Sequence, residues 1–214
     1  HFYQPPRENP WTGVIEQQRS AHPYHNWNER ITEECYRPNT HTQILNNNNQ
    51  AIKVVNNYTK ISFNFGPTLL SWMEKNAHDT YESILKADKL GMERYSGHGT
   101  GIAQGYNHMI MPLANDHDKL TQVIWGIKDF EHRFSRKPEG MWLPETAVDI
   151  DTLEILAEQG IRFTILAPTQ AKRTKMLDSK VWVDVSEGTI DTQLPYLCLL
   201  PSGKEIVIFF YNGV

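Results

Sequence analysis

Residues 139–166 read EGMWLPETAVDIDTLEILAEQGIRFTIL, and this stretch decides the predicted fold. The segment Glu139–Leu143 is typical of a strand, and the helix that follows is opened by Asp149 and closed by Gly160. A second strand is predicted at Ile161–Leu166. A strand, a helix and a strand in this order predict a βα unit of a parallel sheet, and therefore an α/β fold.

The same alternation extends to both sides of this stretch. The clearest helix is Asp116–Phe134, whose apolar residues fall on one face. Further predicted helices lie near Asn28–Tyr36, through Leu69–Met73 and after a cap at Asp79. Further predicted strands are Ile61–Phe65, Asn107–Pro112, Val181–Val185, Tyr196–Leu200 and Ile206–Tyr211. The rest of residues 1–50 is predicted to be irregular.

Composition and charge exclude several classes of function. The 214 residues include 21 Lys and Arg against 25 Asp and Glu, which gives a formal net charge of −4. A nucleic-acid binder needs a basic surface, so we predict no nucleic-acid partner. No apolar run approaches the roughly 20 residues of a membrane helix, so we predict no membrane partner. Cys35 and Cys198 form no CxxC pair, which excludes a cysteine zinc site and a thioredoxin-type motif. A small secreted domain would carry more cysteines, so we predict a reducing, cytoplasmic location, with a single disulfide as the alternative.

The ends of the sequence predict a fragment. The chain begins at His1 and stops at Val214, directly after the apolar run Ile206–Tyr211. A domain seldom stops one step past a core strand. We therefore expect residues 1–214 to be a single domain that is incomplete at both ends.

The strongest candidate for chemistry follows the strand Glu139–Leu143. In α/β folds the active site lies at the carboxyl ends of the strands, and Glu145 stands there. Pro144 stiffens the backbone that aims this carboxylate, and Trp142 offers a flat apolar face on which a sugar ring can stack. The alternative is an ordinary surface glutamate in a βα loop.

Two other groups of polar residues are candidates, each with a plainer alternative. His1 and Gln4 point into the site if His1 ends a strand, although such side chains are usually solvated in loops. His98 lies in a glycine-rich turn, which lets the backbone approach a ligand, and Asn107 and His108 begin the strand predicted after it.

Asn212 and the remaining histidines leave the chemistry open. Asn212 follows the last predicted strand, where a polar residue suits a site, although Asn-Gly is also a common turn. His98, His108 and His117 are candidates for part of a metal site, but their spacing matches no compact ligand motif. We therefore predict neither a metal nor a cofactor.

Three motifs occur in a fixed order along the chain. They are His1-Phe2-Tyr3-Gln4-Pro5, Gly97-His98-Gly99 with Tyr106-Asn107-His108, and Gly140-Met141-Trp142-Leu143-Pro144-Glu145. Together they resemble the successive motifs of glycoside hydrolase family 57, the family of α-amylase-like enzymes, glucanotransferases and branching enzymes, and in particular a bacterial and archaeal branch of it. The resemblance implies an incomplete (β/α)₇ barrel of the glycoside hydrolase and deacetylase type, here truncated.

The resemblance also implies roles for the candidate residues. Members of the family retain the anomeric configuration with two carboxylates, of which Glu145 matches the nucleophile. His1 matches a histidine that contacts the substrate. We expect the other candidates to bind substrate as well; they are Gln4, His98, Asn107, His108 and Trp142.

Two positions depart from the family pattern. Tyr3 stands where the first motif usually has a second histidine. Asn212 stands where the general acid/base Asp is expected, and an amide cannot transfer a proton. The general acid is therefore unknown, and Glu187 and Asp191 are alternatives that nothing in the sequence separates.

The predicted function is a retaining glycoside hydrolase or glycosyltransferase that acts on an α-glucan-like oligosaccharide or polysaccharide. The rival enzyme is a metal-dependent carbohydrate deacetylase with His and Asp around zinc, because related incomplete barrels do that work. A carbohydrate-binding homologue without catalysis is the third alternative, motivated by Asn212. The sequence specifies neither the linkage nor the oligomeric state.

Overall fold

The computed structural model describes residues 1–213, and the chain divides into two compact units. The first unit contains His1–Ile102 and Glu131–Arg136. The second contains Ala103–Phe130 and the chain from Lys137 onward. Helices and strands occur in both units, so the predicted α/β class is confirmed.

The first unit combines short helices, a hairpin and two longer helices. Its elements are α1 (Trp27–Ile31), α2 (Arg37–Thr40), β1 (Thr42–Leu45), β2 (Ala51–Val55), α3 (Pro67–Asn76), α4 (His78–Arg94) and 3₁₀ turns at Arg19–Ala21 and Asn57–Thr59. A π-helical turn, Thr32–Tyr36, joins α1 to α2, so the helix predicted near Asn28–Tyr36 is confirmed. α4 begins at His78, and Asp79 lies in its first turn rather than at the predicted cap position.

Aromatic rings form much of the core of the first unit. Phe2 stacks on Phe65 with ring centroids 4.6 Å apart, and Tyr36, Tyr58 and Phe63 pack edge-on within the same cluster. The Tyr58 hydroxyl donates to the Tyr36 carbonyl oxygen at 3.2 Å. Such ring pairs contribute roughly 0.5–1.5 kcal/mol each beyond the burial of their area. The cluster therefore anchors the first residues of the chain.

Three segments of the first unit run parallel and meet at isolated bridges. Phe2 pairs with Phe65, and Phe63 pairs with Gly101. The strand predicted at Ile61–Phe65 is thus reduced to two paired residues, because α3 begins at Pro67 directly after it. Since the three segments share one direction, residues that precede the bridges lie at one end of this set of parallel segments. Residues that follow the bridges lie at the other end.

The hairpin of β1 and β2 corrects the prediction that residues 1–50 are irregular outside one helix. The two strands pair antiparallel, and the asparagine run between them forms the turn. Asn46 Oδ1 accepts the N–H groups of Asn48 at 2.9 Å and Gln50 at 3.0 Å, and Asn49 has a φ of 57°. Asparagine tolerates left-handed backbone and bonds to its own turn, so this polar tract is turn chemistry rather than disorder.

The second unit contains most of the strands. Its elements are β3 (Ala103–Gln104), α5 (Asp116–Phe134), β4 (Met141–Trp142), α6 (Ile150–Glu158), β5 (Phe163–Leu166), β6 (Arg173–Thr174), β7 (Val183–Asp184), β8 (Tyr196–Leu199), β9 (Glu205–Phe210) and 3₁₀ turns at Met111–Leu113, Pro144–Thr146 and Pro168–Gln170. Residues 131–134 at the end of α5 belong to the first unit. The bounds of α5 match the prediction. The strands predicted from Glu139 onward are present, and all are shorter than predicted except β9, which keeps its length of 6 residues and begins one residue earlier.

The strands of the second unit confirm the predicted parallel arrangement. β3 pairs parallel with β4, with Gln104 opposite Trp142. A parallel bridge joins Gly140, just before β4, to Phe163 of β5, and β5 pairs parallel with β9. β8 lies antiparallel beside β9. The carboxyl ends of β3, β4, β5 and β9 therefore point the same way.

The strand predicted at Asn107–Pro112 is wrong, because the strand in this region is β3, which ends at Gln104. Beyond Gly105 the backbone turns, and His108 has a φ of 54°. The apolar residues that suggested a strand form a 3₁₀ turn at Met111–Leu113, in which Met111 is fully buried. Proline at the second position of this turn is compatible with a helix start but not with a central strand.

The two long elements of the second unit are tied together by one carboxylate. Asp149 is the N-cap of α6, and its Oδ1 accepts the Thr152 N–H at 2.9 Å. Its Oδ2 accepts a hydrogen bond from Lys119 Nζ on α5 at 2.7 Å, and the Lys119 side chain is only 4% exposed. In the described residues no helix combines the length and apolar character needed to cross a bilayer.

Asp149→Asn is expected to lower the free energy of unfolding at pH 7 by about 2 kcal/mol, because asparagine still caps α6 but leaves the Lys119 charge unbalanced. Burial acts to raise the pKa of Asp149, but hydrogen bonds from Lys119 and Thr152 outweigh it and hold that pKa below its usual 3.8. A carboxyl with a depressed pKa stabilises the fold above its unfolded pKa, and this contribution is lost as pH falls through the folded pKa.

Urea unfolding from pH 7 down to pH 2.5 measures this effect. The deficit of the Asp149→Asn variant is expected to shrink below about pH 4, in the window that the depressed pKa sets. Asp151→Asn, a change of the same charge in the first turn of α6, is the control and is expected to cost less at pH 7. A deficit that stays constant with pH would contradict the ionic role of Asp149.

Candidate active site

Polar residues gather at the carboxyl edge of the parallel strands in the second unit. The segments that follow β3, β4, β5 and β9 are Tyr106–His108, Leu143–Thr146, Ala167–Gln170 and Tyr211–Gly213. Because these strands share one direction, the four segments share one edge, which is where α/β enzymes place their chemistry. The structure thus brings the predicted residues Asn107, His108, Glu145 and Asn212 to one edge.

Glu145 is held in an uncommon backbone conformation. Its φ of 55° and ψ of 18° lie in the left-handed region, and Thr146 follows with a φ of 54°. This conformation is uncommon for residues other than glycine, and it is an outlier for a β-branched residue such as Thr146. The Thr146 N–H donates to the Leu143 oxygen and the Ala147 N–H to the Pro144 oxygen, both at 3.0 Å, and these bonds close the turn.

In this turn an exposed carboxylate follows two buried residues. Leu143 and Pro144 are buried, whereas the side chain of Glu145 is exposed. A strained residue of this kind costs of order 1–3 kcal/mol and persists only where its surroundings hold it. Such residues cluster at ligand and catalytic sites, so the conformation of Glu145 is an independent reason to place function here.

His108 lies within electrostatic reach of Glu145. Burial lowers the pKa of His108, and the Glu145 carboxylate opposes this by raising it, with a net lowering. The imidazole is therefore neutral at pH 7 and has one donor and one acceptor nitrogen. The two loops approach each other closely, since a Cβ added to Gly105 would lie 3.8 Å from Cδ of Pro144.

Exposure alternates along β4 and the residue that follows it. Met141 and Leu143 are 0% exposed, whereas Trp142 between them is partly exposed. Asn107 is exposed, and its backbone N–H donates to Gln122 Oε1 at 2.6 Å. An aromatic face and an amide therefore occur on the strand and loop that flank Glu145.

Carboxylates near Asn212 come from the segment before β8. Asn212 itself is exposed after β9. Because β8 runs antiparallel to β9, the chain that enters β8 lies at the carboxyl end of β9. This chain includes Glu187 and Asp191, both exposed, and a Cβ on Gly188 would lie 3.3 Å from Thr169 Cγ2 in the loop after β5. The segment that carries both alternative acids thus lies at the carboxyl edge of the sheet, as Glu145 does.

Gln170 is a residue that the sequence analysis did not single out. Its Nε2 donates to the Thr146 carbonyl oxygen at 2.8 Å, and its Oε1 accepts the Ala167 N–H at 2.7 Å. The one signal in the sequence is its place four residues after the strand predicted at Ile161–Leu166. The bond partners depend on tertiary structure and have no sequence pattern.

In the first unit, His1 and Gln4 flank the anchored Phe2. The Nδ1 of His1 and the Nδ2 of Asn64 are 2.8 Å apart. Gln4 Nε2 donates to the Tyr36 hydroxyl at 3.2 Å, and Gln4 Oε1 accepts from Arg7 at 2.6 Å. The amide predicted to point into a site therefore has protein partners on both of its polar atoms.

His98 lies at the amino end of the bridged segments of the first unit. It lines a cavity of about 270 Å³ with Lys60, Ser62 and Tyr95, among others, and the cavity residues precede Phe63 and Gly101 in the chain. Gln4 lies beyond the bridge at Phe2, so these two predicted residues stand at opposite ends of the bridged segments. In residues 1–213, no group of three or more His, Cys, Asp or Glu side chains is placed to hold a metal ion.

The fold and the site together define a class of protein. A parallel α/β sheet with a carboxylate held in fixed backbone at its carboxyl edge is the architecture of an α/β enzyme site. The chain belongs to glycosyl hydrolase family 57, because the family model matches residues 2–213. The resemblance found in the three sequence motifs is thus confirmed.

Several known proteins are similar to this chain. Alpha-amylase 1 of Dictyoglomus thermophilum is 30% identical over 107 residues, which are 50% of this chain and 15% of that protein. The solved exo-type maltose-forming amylase of Pyrococcus sp. ST04 is 16% identical, with a TM-score of 0.57 over 87% of this chain and 27% of its own. The α-amylase AmyC of Thermotoga maritima is 13% identical, with a TM-score of 0.56 over 99% of this chain and 44% of its own. At these identities the solved structures show a shared fold.

Proposed function

We propose that this chain carries the nucleophile of a retaining glycoside hydrolase or glycosyltransferase that acts on α-glucan-like oligosaccharides or polysaccharides. The observation that carries the proposal is Glu145, a carboxylate held in left-handed backbone at the carboxyl edge of a parallel sheet. Membership of glycosyl hydrolase family 57 supports it, and so does the resemblance of Gly140–Glu145 to the family's nucleophile motif. The chain spans 15% of the amylase that it matches in sequence, so the activity is proposed for the complete protein.

In this proposal Glu145 attacks the anomeric carbon and forms a glycosyl-enzyme. A second carboxyl group protonates the leaving oxygen, and then activates water or an acceptor sugar. In retaining enzymes the two groups stand roughly 5–5.5 Å apart. Asn212 cannot serve as this group, since an amide has no proton to transfer at neutral pH. Glu187 and Asp191 are the candidates that the second unit offers at this edge.

The neighbouring residues are assigned to substrate binding. A neutral His108 can donate to one sugar hydroxyl or accept from another, and Asn107 can do both. Trp142 supplies an apolar face for a sugar ring. His1, Gln4 and His98 remain predicted substrate contacts on the basis of the family motifs. We further propose that residues 1–214 form part of one incomplete (β/α)₇ barrel domain, that the protein is cytoplasmic, and that no metal or cofactor takes part.

The stereochemistry of the product tests this proposal. The complete protein is incubated with maltoheptaose, and the anomer formed first is followed by proton NMR before mutarotation. We expect the α-anomer, because double displacement retains configuration. Early formation of the β-anomer would contradict a glycosyl-enzyme at Glu145. Binding of maltoheptaose with no turnover would favour a carbohydrate-binding homologue, and release of acetate from an acetylated oligosaccharide would favour the deacetylase.

A further inference from the structure

We propose that Gln170 is a positioning residue that holds Glu145 in its left-handed conformation through the carbonyl group of Thr146. The inference rests on the proposed function, because it assigns the orientation of the proposed nucleophile to a residue on the neighbouring strand's loop. In residues 1–213, the hydrogen bonds of the Gln170 side chain go to backbone atoms, the Thr146 carbonyl oxygen and the Ala167 N–H group.

The backbone conformation of the turn at Glu145 and Thr146 needs support from its surroundings. Glu145 and Thr146 are successive residues with φ values of 55° and 54°. Each is disfavoured for a side chain with a Cβ, and Thr146 is in addition β-branched. The two hydrogen bonds within Leu143–Ala147 are those of an ordinary 3₁₀ turn, which right-handed backbone can also form. They close the turn without selecting the left-handed form.

The hydrogen bond from Gln170 to Thr146 favours the left-handed conformation. The Thr146 carbonyl oxygen accepts from Gln170 Nε2 at 2.8 Å, and Thr146 is only 8% exposed. A change of Thr146 to right-handed backbone would rotate this carbonyl away from its donor. A buried carbonyl without a partner costs more than the net value of the bond itself, so the donor favours the observed conformation.

The side chain of Gln170 is itself fixed by hydrogen bonds. Its Oε1 accepts the Ala167 N–H at 2.7 Å, so both ends of the amide are in use. Its backbone N–H donates to the Ala167 carbonyl at 3.0 Å, which closes the 3₁₀ turn Pro168–Gln170 after β5. The planar amide offers an acceptor oxygen and a donor nitrogen as two separate atoms at one side-chain end. The turn after β5 thus stabilises the turn after β4 through the hydrogen bond of Gln170.

Gln170→Glu removes the donor and keeps the shape and the acceptor, so it isolates the proposed contact. In the complete protein acting on maltoheptaose, we expect kcat to fall by roughly 10- to 100-fold with KM within about twofold, because a displaced nucleophile impairs the chemical step more than binding. Gln170→Asn, whose shorter amide does not reach both partners, is expected to behave alike. Gln43→Glu, the same change at an exposed position of β1, is the control and should leave kcat unchanged.

Crystal structures of the parent and of Gln170→Glu give a second readout that does not need turnover. We expect Glu145 and Thr146 to leave the left-handed region in the variant, while melting temperatures stay within about 3 °C. Left-handed backbone retained at both residues of Gln170→Glu would overturn the inference, with or without measurable activity. If Glu145→Gln is inactive while Gln170→Glu keeps the parental kcat, the positioning role fails and the proposed function stands. If Glu145→Gln keeps full activity, the proposed function fails, and the backbone readout alone decides the role of Gln170.

Discussion

Glu145→Gln is expected to reduce glucan cleavage or transfer by the complete protein at least about 10³-fold, because the covalent pathway is lost with its nucleophile. The amide is nearly the same size as the carboxyl group, so the left-handed turn at 143–147 is expected to survive. Substrate affinity should therefore change little, and the loss should fall on kcat. Steady-state rates on maltoheptaose, with melting temperature as a check on folding, measure the effect.

Azide rescue distinguishes a nucleophile from a residue that only supports the site. In Glu145→Ala, azide can enter the space of the missing carboxylate and attack an activated aryl α-maltoside. We expect restored turnover and a β-maltosyl azide product, because a single displacement inverts the configuration. An α-configured azide product would instead place the nucleophile elsewhere.

Glu158→Gln is the matched control for both experiments. Glu158 is an exposed glutamate at the end of α6, in the same unit and away from the carboxyl edge. We expect full activity from this variant. Full activity from Glu145→Gln would refute the nucleophile assignment and leave the family membership without a catalytic residue in this chain.

Long periodic elements could be predicted from the sequence, because their signal is repeated many times. The bounds Asp116–Phe134 were predicted and observed for α5, and the cap at Asp149 was found from a single residue type in its usual place. The strand before Leu143 was also found. Its length was not, since pairing of only two residues depends on the neighbouring strand rather than on local sequence.

The predictions of other elements were wrong for reasons that can be identified. The hairpin of β1 and β2 was missed, because its strand residues are mostly exposed and lack the alternation that marks a half-buried strand. The apolar run that predicts a strand at Asn107–Pro112 does not form one. It instead buries Met111 in a 3₁₀ turn. A short apolar run does not distinguish these outcomes.

The candidate site likewise has some features that the sequence predicts and others that it does not. Glu145 could be predicted, because a carboxylate after a proline at the end of a strand is visible in the sequence. Its left-handed backbone could not, since the bond that favours it comes from Gln170 in another loop. The charge interaction between His108 and Glu145 likewise depends on β3 lying beside β4. Sequence thus indicates the proposed nucleophile, and the fold determines how its backbone is held.

A buried ion pair in the first unit is expected to have the largest effect on stability. Asp88 is 0% exposed, and its two carboxylate oxygens accept from Arg136 Nε and from the Arg136 guanidinium NH2 group, both at 2.8 Å. Asp88 also accepts the Gly101 N–H at 2.7 Å, and Arg136 donates to the Gly101 oxygen at 2.7 Å. A Cβ on Gly99 would lie 2.3 Å from Asp88 Oδ1, so the pair is packed closely under this chain segment.

Arg136→Met is expected to lower the free energy of unfolding by about 3–5 kcal/mol, because it leaves the Asp88 carboxylate buried without its counter-charge. Arg162→Met is the matched control, since Arg162 pairs with Glu139 but is 73% exposed, and exposed pairs contribute about 0–1 kcal/mol. Urea unfolding of both variants measures the difference. The double variant Asp88→Leu with Arg136→Met should regain part of the loss, because no unpaired charge then remains in the core. Equal losses in Arg136→Met and Arg162→Met would show that burial does not decide the value of this pair.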